Sequence, residues 1–262
     1  MFKLKNTFLA FTVGIIGAAG NAGAIELGGA SMLAPGSPYA EDFIVGPTAP
    51  GKWGSPVFGT GATVTWSLMA TGIPTEDDSS SVALSDFMPA GYKAEIEAAF
   101  AAWSAVADIT FVEVADSGVP FNAPEPAGSG DIRIAGTLLD GAFGTLAHGY
   151  YPPANGTSAA GDIHFDTADT WKIGFGGPGF DIFQVAAHEI GHAIGLDHTG
   201  VPDSLMNPFY TESFSGLQAD DIAGAVFIYG LPRPVGVPEG GSTLVLLGIV
   251  MFSVGGIRRK LR

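Results

Sequence analysis

Five histidines occur in this chain of 262 residues, and three of them fall within eleven consecutive positions. His188, His192 and His198 form the pattern H-E-x-x-H-x-x-G-x-x-H together with Glu189 and Gly195. Because His188 and His192 are four residues apart, a helix projects them from one face, where they can share a zinc ion. Gly195 can adopt the left-handed conformation that ends a helix, which lets His198 return as a third ligand. Three imidazoles leave one position open, as in catalytic zinc sites.

Glu189 lies beside the first of these ligands, close enough to reach a water at the open position rather than the metal itself. A carboxylate there can act as a general base toward the water and then as a general acid toward a leaving amine. The motif therefore indicates peptide hydrolysis, with Glu189 as the candidate catalytic residue. The alternative is a non-catalytic metal-binding protein of the cell surface or extracellular matrix. Such a protein does not need Glu189, so this residue favours the enzyme.

The elements that must position the motif can be read from hydrophobic spacing. Asp181 and Gln184 resemble a capping pair for a helix that continues to about Ile194. Apolar spacing predicts two further helices, and alternation with β-branched residues predicts strands. The helices are residues 92–105 and 217–229, and the strands are residues 62–68, 109–114, 131–135, 146–151 and 162–165. Because helices and strands do not alternate regularly, the fold class is α+β.

Several segments around the motif resemble the matrixins, or matrix metalloproteinases, a branch of the metzincin zinc metallopeptidases. Residues 204–210, Ser-Leu-Met-Asn-Pro-Phe-Tyr, resemble the family's Met-turn, and residues 217–222 resemble the start of its last helix. Residues 146–150 and 161–166 resemble the strands beside its active site. The similarity extends over residues 52–230. It implies a catalytic domain with a twisted, mostly parallel sheet of about five strands and three helices.

The resemblance also implies roles for individual residues. Met206 would lie beneath the single catalytic zinc, and Pro208 and Tyr210 would form a wall of the substrate pocket. The strand at residues 146–150 would pair with an extended peptide through main-chain hydrogen bonds. The implied activity is that of a zinc-dependent endopeptidase, and the implied partner is a protein or peptide substrate.

A second, structural zinc of the matrixins has three histidine ligands and one aspartate. His148 and His164 match two of these ligands. The loop that carries the other two is short here and contains no histidine. Since two imidazoles alone form a weak zinc site, we expect this zinc to be weakly held or lost.

Five acidic residues match calcium sites of the family. Asp140, Asp166 and Asp169 match the carboxylates of one structural calcium, and Asp131 and Asp162 match acids beside a second. Ca²⁺ takes six to eight oxygen ligands, so backbone carbonyls would have to complete both sites. The alternative is that these acids are solvated loop residues.

The charge and cysteine content exclude several function classes. All 26 acidic residues lie between Glu26 and Glu239, where five basic residues oppose them, so this part carries a charge of −21. Such a surface disfavours nucleic acid, which needs clustered Lys and Arg, and suits divalent cations. The chain has no cysteine, which excludes disulfides and thiolate ligands. The cysteine switch that keeps matrixin proenzymes latent therefore cannot operate.

The N-terminal residues 1–24 have the pattern of a secretory signal peptide. Lys3 and Lys5 precede an apolar run at residues 8–19, and the small residues Ala-Gly-Ala end at Ala24. A permanent N-terminal membrane anchor is the alternative, but the run is short for a span of ~20 residues. We therefore expect export followed by cleavage.

The C-terminal residues have a three-part pattern. Val-Pro-Glu at residues 237–239 precedes the apolar residues 242–257, and a basic end follows at residues 258–262. This order resembles bacterial sorting signals of the PEP C-terminal type, which exosortases recognise. It predicts a cell-surface or extracellular protein of a bacterium with a double-membrane envelope, held in the membrane by residues 242–262 before processing. The alternative is a permanent tail anchor.

Between the two ends, composition predicts three segments. Residues 25–50 are a Gly- and Pro-rich lead-in, residues 51–231 are the metallopeptidase domain, and residues 232–241 are a linker with the sorting motif. The lead-in is too short for a folded prodomain. The sequence therefore shows no means by which the enzyme would be kept inactive before export.

Overall fold

A computed structural model describes the middle of the chain, namely residues 29–33, 35, 51–76, 79–121, 123, 128–152 and 158–233. The expected signal peptide, most of the lead-in, the Val-Pro-Glu motif and the apolar C-terminal segment lie outside these residues. Within them, no helix combines the length and the apolar character that a membrane span requires. The expected processing and sorting signals therefore stay predictions.

Six strands form the main sheet. They are β1 (Gly29–Leu33), β2 (Ala62–Leu68), β3 (Ile109–Glu113), β4 (Ile132–Thr137), β5 (Thr145–Tyr150) and β6 (Ile163–Asp166). Their order across the sheet is β1-β5-β6-β4-β2-β3. Strand β2 is parallel to β3 and β4, and β4 is parallel to β6, whereas β5 runs antiparallel to both β6 and β1. A short parallel pair, β7 (Trp171–Lys172) and β8 (Phe180–Asp181), follows.

Three α-helices are present among the described residues: α1 (Tyr92–Val106), α2 (Ile182–Ala193) and α3 (Ala219–Tyr229). Each boundary lies within two residues of its prediction from sequence. The α+β class and the mostly parallel sheet are confirmed. The sheet has six strands instead of about five because β1 comes from the lead-in, where Gly and Pro content gave no strand signal.

Helix α2, which carries the histidine motif, lies within the core. Helix α1 buries Ile96, Ala99, Phe100 and Trp103, a spacing that places all four on one face. The indole N–H of Trp103 donates to the carbonyl of Ala187 in α2 at 2.9 Å. Helix α2 itself is buried on nearly every side. The motif therefore sits on an element that packing holds in place from several directions.

Candidate metal centre and active site

Helix α2 starts and ends where the sequence predicted. The Asp181 carboxylate accepts the N–H of Gln184 at 2.8 Å and caps the first turn. Beyond the last turn, Gly195 has a φ of 105°, and a Cβ atom there would lie 2.6 Å from the carbonyl oxygen of Gly51. Only glycine fits this turn, because both its conformation and its close approach exclude a side chain. The turn brings His198 back toward the helix.

The three motif histidines converge through their Nε2 atoms. Nε2 of His188 lies 3.0 Å from that of His192, and Nε2 of His198 lies 3.2 Å from each of them. Two nitrogens that share a tetrahedral zinc ion at ~2.0–2.1 Å are about 3.3 Å apart. His188 and His192 are fully buried, and His198 is partly exposed. The spacing therefore fits one zinc ion with an accessible side.

Hydrogen bonds on the far side of two rings fix their tautomers. Nδ1 of His188 lies 2.6 Å from the carbonyl oxygen of Leu205, and Nδ1 of His192 lies 2.8 Å from that of Leu196. Because a carbonyl only accepts, Nδ1 carries the proton in both rings and Nε2 presents a lone pair. Burial, followed by the neighbouring imidazole charge, lowers the pKa of His188 to about 3, and the same causes lower the pKa of His192. Two lone pairs that face each other at 3.0 Å need a cation between them.

Glu189 is fully buried next to the cluster without belonging to it. Its Oε1 accepts the backbone N–H of Met32 at 3.0 Å, and its Oε2 has no hydrogen-bond partner among the described residues. Burial raises the pKa of this carboxyl well above its ordinary value. Strand β5 passes directly over it, since a Cβ atom at Gly149 would lie 3.2 Å from Oε2. The site thus holds a basic carboxylate between the histidines and strand β5.

Asp221 had no predicted role, and its side chain anchors the loop of residues 204–206 beside the site. Its buried carboxylate accepts the Ser204 hydroxyl and the N–H groups of Leu205 at 2.9 Å, Met206 at 3.0 Å and Gln218 at 2.7 Å. This fixes the carbonyl of Leu205, to which His188 donates. The capping-box spacing of Gln218 and Asp221 at the start of α3 is the sequence signal that could have identified it.

The segment predicted to form the pocket wall lies beside α2. Met206 is buried, and its sulfur packs against the helix at Gly191. The Tyr210 hydroxyl accepts the N–H of Asp181 at 3.0 Å, and its ring lies edge-on to that of Phe180 at 5.2 Å between centroids. Pro208, which lies between Met206 and Tyr210 in the sequence, is partly buried. These contacts tie the segment to the start of the motif helix.

A second cluster forms around the other two histidines. His148 of β5 and His164 of β6 are directly paired across the sheet. Glu76, from the loop between β2 and α1, places Oε1 2.9 Å from Nε2 of His148 and 3.1 Å from Nδ1 of His164. These two nitrogens are 3.1 Å apart, and a cleft of about 320 Å³ opens onto Glu76 and His148. Glu76 is therefore a third potential ligand beside His148 and His164, and the expectation of a weak or lost structural zinc stays a prediction.

The expected first calcium site is a loop folded around three carboxylates. Asp166 accepts the N–H of Asp140 at 3.2 Å, and Asp169 accepts that of Phe143 at 2.8 Å. The second oxygen of Asp169 is buried and has no hydrogen-bond partner in the described part of the chain. Burial, followed by the charges of Asp166 and Asp140, raises the pKa of Asp169 to about 6. A cation would relieve this arrangement, but the three carboxylates do not converge as closely as either histidine cluster.

The two acids expected at a second calcium have different surroundings. The Asp131 carboxylate accepts the N–H and the hydroxyl of Thr65, each at 2.7 Å. Asp162 is fully buried, lies 3.8 Å from the guanidinium of Arg133, and has no hydrogen-bond partner for its carboxylate within the described residues. Burial raises the pKa of Asp162 well above its ordinary value. Of these two acids, Asp162 is the one whose carboxylate has no hydrogen-bond partner in the described part of the chain, and a shared calcium site with Asp131 stays a prediction.

Comparison with known proteins gives matches over the region that carries this site. A model of the matrixin family of peptidases matches residues 80–230. Stromelysin-3 of Xenopus laevis is 41% identical over 148 residues, which are 53% of this chain and 28% of that protein. Karilysin of Tannerella forsythia is 38% identical over 149 residues, 55% of this chain and 30% of karilysin. Human matrix metalloproteinase-16 is 37% identical over 158 residues, 55% of this chain and 24% of that protein. The chain thus spans less than a third of the length of these relatives.

Proposed function

Because the chain belongs to the matrixin family, whose model matches more than half of it, we propose that it is a zinc-dependent endopeptidase with Glu189 as its general base. Matrixins use a catalytic zinc and structural calcium, and the histidine triad fits the zinc. The single observation that carries the proposal is the pair of Nε2 lone pairs of His188 and His192. They face each other at 3.0 Å, with both Nδ1 atoms committed to carbonyls.

In this proposal the catalytic roles are shared between the zinc ion and Glu189. His188, His192 and His198 would hold the zinc ion, which when bound would polarise the scissile carbonyl and acidify the attacking water. Glu189 would accept the proton of that water at Oε2, which has no hydrogen-bond partner among the described residues, and pass it to the leaving nitrogen. Burial raises its pKa from the ordinary carboxyl range, which makes it a stronger base.

Substrate binding in this proposal uses strand β5 and the loop after Met206. An extended peptide would pair through main-chain hydrogen bonds with the side of β5 that β1 occupies in this structure, so that much of the affinity is independent of sequence. The pocket bordered by Pro208 and Tyr210 would receive the side chain that follows the cleaved bond. Its apolar walls favour an apolar side chain at that position.

We also infer that the enzyme acts outside the cell. The signal-peptide pattern at residues 1–24 supports export, and the Val-Pro-Glu motif with residues 242–262 supports exosortase-type sorting through a transient membrane stage. Residues 51–231 would then form the catalytic domain, and residues 232–241 its linker. A calcium ion on Asp140, Asp166 and Asp169 would stabilise this domain, which the unsatisfied oxygen of Asp169 supports.

The test compares the zinc-loaded parent with Glu189→Gln on a library of fluorogenic peptides. Glu189→Gln should retain zinc, because Glu189 is outside the ligand cluster, and should cleave ~10²–10⁴-fold more slowly. Glu97→Gln, an exposed change on α1, is the matched control and should cleave like the parent. Equal rates in Glu189→Gln and parent would refute the assigned base. Zinc binding without cleavage of any peptide by the parent would favour the non-catalytic surface protein.

A further inference from the structure

A buried tyrosine lies where strand β5 meets the loop that carries the third histidine of the motif. Tyr151 directly follows β5 and is 8% exposed. Its hydroxyl donates to Oδ1 of Asp197 at 2.8 Å, across 46 positions of sequence. The same oxygen accepts the backbone N–H of His198 at 2.7 Å. One carboxylate oxygen therefore joins the tyrosine to the residue that bears the third imidazole of the cluster.

The ring of Tyr151 also lies against a second histidine of the motif. Its centroid is 5.8 Å from that of the His192 ring, and the two rings are nearly perpendicular, at 85°. Aromatic rings attract each other in this edge-to-face arrangement. The next residue, Pro152, approaches the turn after α2, since its Cγ would lie 3.6 Å from a Cβ atom at Gly195. The two residues after β5 thus pack along the turn that brings His198 back to the helix.

His198 depends on this support more than the other two ligands do. His188 and His192 belong to α2, which is buried on nearly every side. His198 is partly exposed and lies in a segment without regular secondary structure. Asp197 is itself exposed, so a fixed donor such as the Tyr151 hydroxyl is needed to hold its carboxylate in one position. Outer hydrogen bonds of this kind orient metal ligands and tune metal affinity.

We propose that Tyr151 is a positioning residue of the zinc site, which sets the place of His198 through Asp197 and holds the ring of His192. The inference rests on the zinc site of the peptidase proposed above. Tyr151 acts in this role on the metal ligands and not on the substrate. Loss of its hydroxyl should let the loop shift and move the third imidazole away from the other two. Tyr151 and Asp197 should therefore behave as one unit.

The primary experiment measures the zinc affinity of the full chain by competition with a chelator, after circular dichroism has shown that each metal-free variant is folded. Tyr151→Phe keeps the ring and removes the hydroxyl, so zinc should bind ~10–100-fold more weakly. Asp197→Ala should lose a similar amount, whereas Asp197→Asn, which keeps an acceptor oxygen, should retain most of the affinity. Tyr92→Phe on α1 and the exposed Asp203→Ala are matched controls and should bind zinc like the parent.

A double-variant cycle separates positioning from a general loss of stability. If the two side chains act through one contact, Tyr151→Phe combined with Asp197→Ala should lose no more zinc affinity than the weaker-binding single variant. Losses that add in the double variant would show two independent effects and would overturn the proposal. Zinc affinity unchanged in Tyr151→Phe would overturn it as well. Because Asp197 is exposed, Asp197→Ala keeps the test valid even if Tyr151→Phe does not fold.

Peptide cleavage at saturating zinc gives a second readout and separates this proposal from the function on which it rests. Tyr151→Phe should lower kcat toward the ~10²-fold loss that a misplacement of about 1 Å can cause, with KM nearly unchanged. A higher KM at unchanged kcat would assign Tyr151 to peptide binding and contradict the positioning role. If the parent binds zinc and cleaves peptides and Tyr151→Phe equals it in both, the positioning role is refuted and the peptidase stands. If the parent binds no zinc at the three histidines, both are refuted.

Discussion

Two clusters of three ligand atoms have nearly the same spacing but different surroundings. In the His188, His192 and His198 cluster the atoms are 3.0–3.2 Å apart, and in the Glu76, His148 and His164 cluster they are 2.9–3.1 Å apart. Spacing alone therefore does not show which cluster requires a metal ion. The hydrogen bonds on the outer side of each imidazole ring distinguish the two clusters.

In the first cluster, carbonyls accept the Nδ1 protons of His188 and His192, so these two rings point their Nε2 lone pairs inward. In the second, a carboxylate lies between two imidazoles and can be satisfied by their N–H groups. Burial alone would raise the pKa of Glu76, but the hydrogen bonds from His148 and His164 hold it well below its ordinary value. The buried Nε2 of His164 has no hydrogen-bond partner among the described residues. The first cluster needs a cation between its facing lone pairs. In the second cluster, the protons of the two imidazoles can satisfy the Glu76 carboxylate without a metal ion.

The largest effect should follow from His192→Ala. Removing this ligand should abolish tight zinc binding and peptide cleavage together, a greater loss than the ~10–100-fold in metal affinity caused by losing an outer partner. Zinc content by mass spectrometry and cleavage rate are measured on the same sample. Glu76→Gln is the paired variant and should keep both. Loss of cleavage in Glu76→Gln with cleavage retained in His192→Ala would reverse the assignment of the two clusters.

The outer hydrogen bonds of the first cluster can be tested through Asp221. Asp221→Ala should lower the free energy of unfolding by about 3 kcal/mol or more, since each buried donor left without a partner costs ~1–3 kcal/mol. Because the Leu205 carbonyl loses its support, zinc affinity should also fall ~10–100-fold. Asp220→Ala, the exposed neighbour on α3, is the control for denaturant unfolding and zinc titration. Unchanged zinc affinity in Asp221→Ala would show that the outer shell does not distinguish the clusters.

The expected calcium site at Asp140, Asp166 and Asp169 offers only oxygen ligands, in contrast to the two histidine clusters. Calcium bound there should add ~2.7 kcal/mol of stability at a hundredfold excess over its Kd. Chelation by EGTA in the presence of excess zinc should therefore lower the melting temperature. Asp169→Asn should shrink that response, whereas the exposed Asp203→Asn should not. If the melting temperature of the parent does not change when calcium is removed, the assignment of calcium to this loop is wrong.

The smallest effect should come from the second cluster in metal-free protein. Glu76→Gln should cost ~1.5–3 kcal/mol at pH 7, the usual range for hydrogen bonds to a charged group. The folded pKa of Glu76 lies below its ordinary 4.5, so its contribution is present at neutral pH and is lost as the pH falls below that value. The difference between parent and variant, measured by urea unfolding with EDTA, should therefore shrink in acid. A difference that grows in acid would contradict the assigned charge state.

The sequence predicted the features of the site that depend on neighbouring residues, but not the contacts between residues far apart in the chain. The motif spacing, the Asp181 cap and the turn at Gly195 act over a few residues, so they could be predicted. Glu76 and Met32 could not, because they meet His164 and Glu189 across 88 and 157 positions. No periodicity marks either residue, and only the folded sheet and loops bring them to their partners.

Anomalous diffraction at the zinc edge, from crystals of the zinc-loaded protein, tests directly whether the three motif histidines hold the metal. We expect the strongest peak among the Nε2 atoms of His188, His192 and His198, at ~2.0–2.1 Å from each. Any peak at Glu76, His148 and His164 should be weaker and should disappear first on chelation. A strong peak at Glu76 with none at the three motif histidines would show that they are not the zinc ligands.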